Sequence, residues 1–317
     1  DLIAHPQVLA VGHGDGRKTL RLDLDQRHIG ARVGADDLGQ VFLLAGEGHA
    51  DLLGVLHHMV VGDDVTVAAD DHARTQGLVH PVVPVGVVIG HVEEAAEHGV
   101  VLVLGYNELD SGMSGSTLFN SCAVIDADGS IVNNHRKLMP TNPERMVWGF
   151  GDASGLRVVE TAVGRVGALI CWENYMPLAR FALYAQGIDI LCAPTWDSGD
   201  TWLATMQHIA REGGCWVVGC ATSLESSDIP EGIPYYDELF PNKNEWINPG
   251  DAVVFKPFGG QMAGPMHKEK GLLLADIDPS AARASRRKFD VSGHYSRPDV
   301  FNLTINRSPS QPATFAD

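Results

Sequence analysis

Nowhere in these 317 residues does an apolar run reach the roughly eighteen residues that a helix needs to cross a bilayer, so a helical membrane span is excluded. Positive charge is short as well. With 23 Lys and Arg against 40 Asp and Glu, the net charge of −17 repels nucleic acid and anionic membrane alike, and neither is an expected partner. Cysteine is sparse and odd in number: Cys122, Cys171, Cys192, Cys215 and Cys220 show no paired short spacing, which argues against a disulfide framework and against a zinc site. The first residues lack a basic flank followed by a secretory core, so a soluble, cytoplasmic protein is expected.

The leanest part is the first hundred residues. They contain no Ser, Asn, Cys, Trp or Tyr, a single Phe (Phe42) and a single Lys (Lys18), yet they hold ten of the fourteen His. Composition then changes abruptly near Glu93. Three origins fit residues 1–91: a displaced reading frame or mis-assembled gene in GC-rich DNA, an extremely diverged first quarter, or an unrelated His-rich segment. Metal binding there has little to rest on, because the histidines show no ligand spacing beyond the adjacent His57 and His58, and no cysteine joins them.

What the chain does have is a thiol placed where a buried strand gives out. Val166–Ile170 is a short, mostly apolar run that predicts a buried strand, and Asn174 with Pro177 opens a helical pattern directly after it. Cys171 therefore falls on a strand-to-helix turn, the mechanics of a nucleophile elbow, where neighbouring backbone N–H groups can receive an oxyanion. An inert core cysteine is the alternative, since free cysteine is among the most buried residue types. Context favours chemistry. Lys137 follows a predicted strand and Glu144 comes seven residues later, so a thiol, an ammonium and a carboxylate each stand at a strand end. That set can make a thiolate, move its proton and stabilise negative charge on a substrate nitrogen or oxygen. Cys122, Cys192, Cys215 and Cys220 sit in apolar strand-like runs and are expected to fill the core.

The segment Gly164–Arg180 resembles the active-site signature of the nitrilase branch of the carbon–nitrogen hydrolase superfamily: Gly167, Ala168, Cys171, Trp172, Glu173, Asn174, Pro177, Leu178 and Arg180 match in order. Lys137–Thr141 with Glu144 and Arg145 is similar to that family's lysine motif and its supporting glutamate. Further matches fall at Ala193–Trp196, His208–Glu212, Lys256–Gly259 and Gly293–Asp299. The resemblance covers residues 92–307, too much for chance, and leaves 1–91 as an anomalous N-terminal segment and 308–317 as a tail. The family's general-base glutamate sits in a Phe-Pro-Glu followed by a Gly-Tyr-Pro, and neither string is present. Glu47, after the apolar run Val41–Gly46, is the leading substitute, although it reads more simply as a solvated loop residue. Glu93, Glu94 and Glu97 read as a helix face.

The resemblance implies an α/β fold, the αββα sandwich of that family, whose subunits stack into a four-layered core and assemble as dimers or longer spirals. It also implies a nitrilase that needs no metal or organic cofactor. Cys171 would attack a small-molecule nitrile to give a thioimidate, Lys137 would stabilise the developing charge, and Glu144 would orient Lys137 or relay a proton. An amidase of the same superfamily, or an inactive scaffold lacking its general base, stays open. Glu173 is expected to brace the Cys171 turn with Asn174 beside it, Trp172 and Trp196 to wall a pocket or fill the core, and His208 to pack or cap a helix.

Pattern alone predicts a layered α/β domain, because strands apolar on both faces alternate with amphipathic helices. Helices are expected at 91–98, 176–186, 201–212 and 280–288. Hairpins are expected at 117–136 and 156–170, and single strands at 100–104, 188–193, 215–220, 252–256 and 271–277.

Overall fold

The computed structural model describes residues 8–12, 41–45, 85–110, 115–229, 232–311 and 313. Glu47, the His57–His58 pair and most of the segment 1–91 lie outside the described residues. Two sheets carry the fold. The first contains β1 (Val8–Gly12), β2 (Val41–Ala45), β3 (Val100–Leu109), β4 (Leu118–Ile125), β5 (Ile131–Arg136) and β13 (Leu272–Asp276), in the order β13-β1-β2-β3-β4-β5. The second contains β6 (Val159–Thr161), β7 (Gly164–Ala168), β8 (Ile190–Thr195), β9 (Trp216–Ala221), β10 (Ser223–Glu225) and β11 (Trp246–Phe255), in the order β10-β11-β9-β8-β7-β6. β12 (Gln261–His267) pairs with β11 beside this path. The helices are α1 (Val85–His98), α2 (Pro177–Tyr184), α3 (Asp200–Gly213), the single turn α4 (Tyr236–Leu239) and α5 (Ser280–Arg286).

Side-chain alternation builds the layers. Val101 and Val103 of β3 and Cys122 and Val124 of β4 meet Val166 of β7, Ile190 and Cys192 of β8, and Val218 and Cys220 of β9 in one core between the sheets. The intervening residues of the second sheet, among them Leu191, Ala193, Val217 and Val253, pack outward on Leu183 of α2 and on Trp202, Met206 and Ile209 of α3. On α3 the buried Trp202, Met206, Ile209, Ala210 and Gly213 follow helical spacing, and Gly214 in the left-handed region ends it. α1 packs on β3, beneath the buried outer-face residues Leu102 and Leu104. Helix, sheet, sheet, helix: the expected αββα sandwich is present.

Most expected elements occur, with shifted ends. β7 stops at Ala168 rather than Ile170 because side chains take over its backbone partners: the Asn174 amide donates to the Leu169 carbonyl, and the Glu173 carboxylate accepts from Ile170 N–H. The helix expected from Met176 starts at Pro177, whose fixed φ suits a first helical position. β11 begins at Trp246 rather than Ala252, with Asn248–Asp251 hiding strand under a loop-like composition and register shifts absorbing the irregularity. β12 was not expected from the sequence at all, since Gly264 and Pro265 interrupt its pattern. Val41–Ala45, noted as an apolar run, is strand β2 and runs antiparallel to β3.

Candidate active site

Cys171 opens the 3-10 turn Cys171–Tyr175 immediately beyond the second sheet. Its φ of 53° lies in the left-handed region, a conformation that costs a side-chain-bearing residue about 1–2 kcal/mol. Three local bonds hold it there. Asn174 Nδ2 donates to the carbonyls of Leu169 and Cys171, each at 2.9 Å, and Glu173 Oε2 accepts from Ile170 N–H at 2.7 Å. Arg180 of α2 fastens the turn from below, donating through Nη1 to the Asn174 carbonyl at 2.8 Å and through Nε to Glu212 of α3 at 3.0 Å.

The residue Cys171 keeps 7% of its surface open, whereas Cys122, Cys192, Cys215 and Cys220 are wholly closed, in the core as expected. Burial pushes the thiols of Cys215 and Cys220 up to about 12 and raises those of Cys122 and Cys192 well above the ordinary thiol value, so these four are fixed as neutral packing groups.

Lys137 leaves the end of β5 and is 1% exposed. A buried ammonium is costly unless paired. Its Nζ donates to Glu144 Oε2 at 2.6 Å and to Thr141 Oγ1 at 3.3 Å. Glu144 in turn accepts from Thr141 N–H at 2.7 Å, which locks the 3-10 turn Asn142–Met146 around the amine. Behind Lys137 the chain returns so closely that a Cβ on Gly151 would meet the Arg136 carbonyl oxygen at 2.2 Å; only glycine fits, and its N–H donates to the Lys137 carbonyl at 2.8 Å.

Glu173 joins the two loops. Its Oε1 accepts from Leu138 N–H at 2.6 Å while Oε2 serves Ile170 N–H, so the backbone flanking Lys137 and the backbone flanking Cys171 lie within roughly 8 Å, two hydrogen bonds and the width of one carboxylate. His135 Nε2 sits 3.1 and 3.0 Å from the same two oxygens. Burial alone would lower the His135 pKa, but the charge and hydrogen bond of Glu173 outweigh it and hold it above the ordinary imidazole value.

Trp172 and Trp196 are 46% and 49% exposed, so neither fills the core. Trp172 Nε1 and the Tyr175 hydroxyl both donate to Asp197 Oδ2, at 2.9 and 2.7 Å, and the Asn248 amide holds the Trp196 carbonyl. Burial and then Asp197 raise the Tyr175 hydroxyl above its usual range. The two tryptophans thus stand where β7 and its parallel neighbour β8 end, the side of a parallel sheet that binds ligands. His208 neither packs nor caps: its side chain is largely exposed and bonds Glu212 at 3.1 Å one turn on, a surface pair.

His135 and Asp197 escaped the sequence reading. His135 stands two residues before Lys137, on the same face of β5, and that spacing is the one signal that could have found it. Asp197 had only the cluster Thr195–Ser198 before a helix, which marks a loop more than a site. Among the described residues no group of three or more His, Cys, Asp or Glu is arranged to hold a metal ion.

The carbon-nitrogen hydrolase family model matches residues 67–287, beginning upstream of residue 92. The chain is similar to Nitrilase 3 of Arabidopsis thaliana, 42% identical over 226 residues, which are 70% of this chain and 64% of that protein. It is equally similar to the aliphatic nitrilase of Sinorhizobium fredii, 42% identical over 217 residues, 68% of each chain. The chain spans just under two thirds of the length of the plant relatives it matches. Among solved structures, the carbon-nitrogen hydrolase from Helicobacter pylori superposes with a TM-score of 0.55 at 22% identity over 67% of this chain and 72% of that one, a likeness of fold alone.

Proposed function

This chain belongs to the carbon–nitrogen hydrolase family, and from that premise we propose that it is a nitrilase, converting a small organic nitrile and two waters to a carboxylic acid and ammonia. One observation carries the proposal: the turn of a strained, partly open thiol at Cys171 and the backbone beside a buried Lys137, itself paired with the half-buried Glu144, are tied to a single carboxylate, that of Glu173.

The Cys171 thiolate adds to the nitrile carbon, one bond of the triple bond becomes a lone pair on nitrogen, and a proton turns that nitrogen into the N–H of a thioimidate. Lys137 faces the developing negative charge, and Glu144 and Thr141 hold its Nζ aimed, as preorganised electrostatics require. Water then adds to the thioimidate carbon, ammonia leaves with the nitrogen, and a second water hydrolyses the thioester, returning the thiol. Trp172 and Trp196 flank the approach to the sulfur, with Asn174 and Glu173 supporting the turn.

The proposed catalytic unit is residues 92–307, which carries every one of these side chains, with 1–91 and 308–317 flanking it. A homo-oligomer, a dimer or a longer spiral, belongs to the same proposal. It is supported by the apolar Leu178 on α2 and Tyr295, Val300 and Phe301 in the segment after α5, all exposed in the single chain. Among the described residues no helix is long and apolar enough to cross a membrane. The five free cysteines suit a reducing compartment, and we place the protein in the cytoplasm.

The test is ammonia release from aliphatic and aromatic nitriles and from the matching amides, with wild type and Cys171→Ala compared. Release from nitriles that falls by at least about a thousandfold in the variant supports the proposal. Release from amides alone, or equal release by both proteins, overturns it.

A further inference from the structure

Lys137 and Cys171 belong to different sheets. The amine follows β5 of the first sheet and the thiol follows β7 of the second, and no ladder joins these two strands. Their separation is therefore set by face-to-face packing, at the roughly 10 Å spacing of stacked sheets, where side chains slide more easily than hydrogen-bonded strands do. A reaction that needs amine and thiol around one carbon cannot tolerate much slack, since a misplacement of about 1 Å can cost a hundredfold in rate.

We propose that His135 is a positioning residue for this reaction: with Glu173 it forms a spacer between the sheets that fixes the distance from the Lys137 ammonium to the Cys171 sulfur. The inference rests on the reading of Cys171 as nucleophile. Glu173 rises from the second sheet's turn and grips Ile170 N–H at home and Leu138 N–H across the gap, one residue from each reacting group. Two amides on opposite oxygens leave the carboxylate free to rock about the line joining them. His135 removes that freedom, because its Nε2 is nearly equidistant from both oxygens, at 3.0 and 3.1 Å, and it stands on β5 two residues from Lys137.

The side chains of His135 and Glu173 are wholly buried, so water cannot substitute for either partner. The groups that face His135 are Glu173 from the Cys171 turn, Cys122 opposite it on β4, and Asp152 at longer range from the segment after Lys137. None of the latter two can take over the bond to Glu173, since Cys122 stays a neutral thiol and Asp152 is itself an anion committed to Ser154 and Ser310 N–H.

The test is the pH dependence of Cys171 alkylation by iodoacetamide in the full chain, located by peptide mapping, together with kcat and KM for a turned-over nitrile. In His135→Phe the inflection for Cys171 moves, and alkylation at neutral pH slows by between about tenfold and a hundredfold. In the same variant kcat falls with KM nearly unchanged. His135→Gln, whose amide can still donate to the carboxylate, retains most of both. A folded His135→Phe with the wild-type alkylation profile overturns the proposal, because a merely structural role would lower stability and leave the sulfur's titration alone. Should that variant not fold, His135→Gln against His135→Asn, a donor within reach and one short of it, decides the matter, and identical profiles overturn it. Alkylation is readable without turnover, so a wild type that releases no ammonia counts against the nitrilase proposal and not against this one.

Discussion

At the scale of the residue, the site is an exchange of local strain for reach. Cys171 is held at φ 53° by Asn174 and Glu173 so that its sulfur leaves the ladder. Glycine occupies that region without the Cβ penalty, whereas alanine keeps it. Cys171→Gly is therefore expected to be as stable as Cys171→Ala or more so, by up to about 1 kcal/mol, with both inactive; urea midpoints compare them, and a clearly less stable glycine variant would show the turn to be unstrained. Lys137 makes a second residue-scale contrast. Removing Glu144 leaves a buried ammonium without its counter-charge, so Glu144→Gln should lose about 3 kcal/mol, while Lys137→Met removes the charge itself and should melt at or above the wild-type temperature. Ammonia release is expected to collapse in both, and equal melting temperatures for the two variants would contradict the account.

At the scale of the element, what was legible followed periodicity, and what was not followed contacts distant in sequence. β8 and β9 could be placed because every residue of each is buried, Ile190 and Cys192 on one face and Leu191 and Ala193 on the other. The Cys171 turn was legible because a strand pattern ends and a helix pattern begins within ten residues. The partnership of His135 with Glu173 was not, since the two are 38 residues apart and come from separate sheets. β11 was half seen, because Pro249 and Gly250 read as loop until Ser223 of β10 and His267 of β12 pair with them.

The opposite end of the second sheet supplies an element-scale prediction. Asp189, wholly buried just before β8, accepts from Arg286 of α5 at 3.0 Å, while Arg286 also donates to the Ile188 carbonyl at 2.6 Å. Asp189→Ala strands a mostly buried guanidinium and should cost about 3 kcal/mol. Because α5 is fastened at the strand starts and Cys171 lies past the strand ends, kcat and KM measured well below the melting temperature should stay at wild type; a lower melting temperature accompanied by unchanged kinetics checks both halves.

At the scale of the whole molecule, the first sheet depends on two short strands far from the motif-bearing part of the sequence. β13 arrives from residues 272–276, and the ladder described for it is with β1, which pairs with β2, which pairs with β3. The abnormal composition before residue 92 therefore does not leave the sheet open, since Val8–Gly12 and Val41–Ala45 fill the gap between Leu272–Asp276 and Val100–Leu104. Their direction matters for chemistry. β2 is antiparallel to β3, and hence to β5, so its C-terminal end at Ala45 pairs with Val100 and lies at the far end of the sheet from Lys137. A chain beginning at residue 85 would lose both strands, expose the apolar edge Val100–Leu104 and strip β13 of that ladder, and an open apolar edge is a template for self-association. Such a chain is expected to run as large soluble aggregates in size-exclusion chromatography with light scattering, while Cys171 in any dispersed fraction alkylates at the full-length rate, because Glu173, His135 and Lys137 are all retained. A monodisperse product with an unchanged melting temperature would mean that β1 and β2 contribute nothing to closing the sheet.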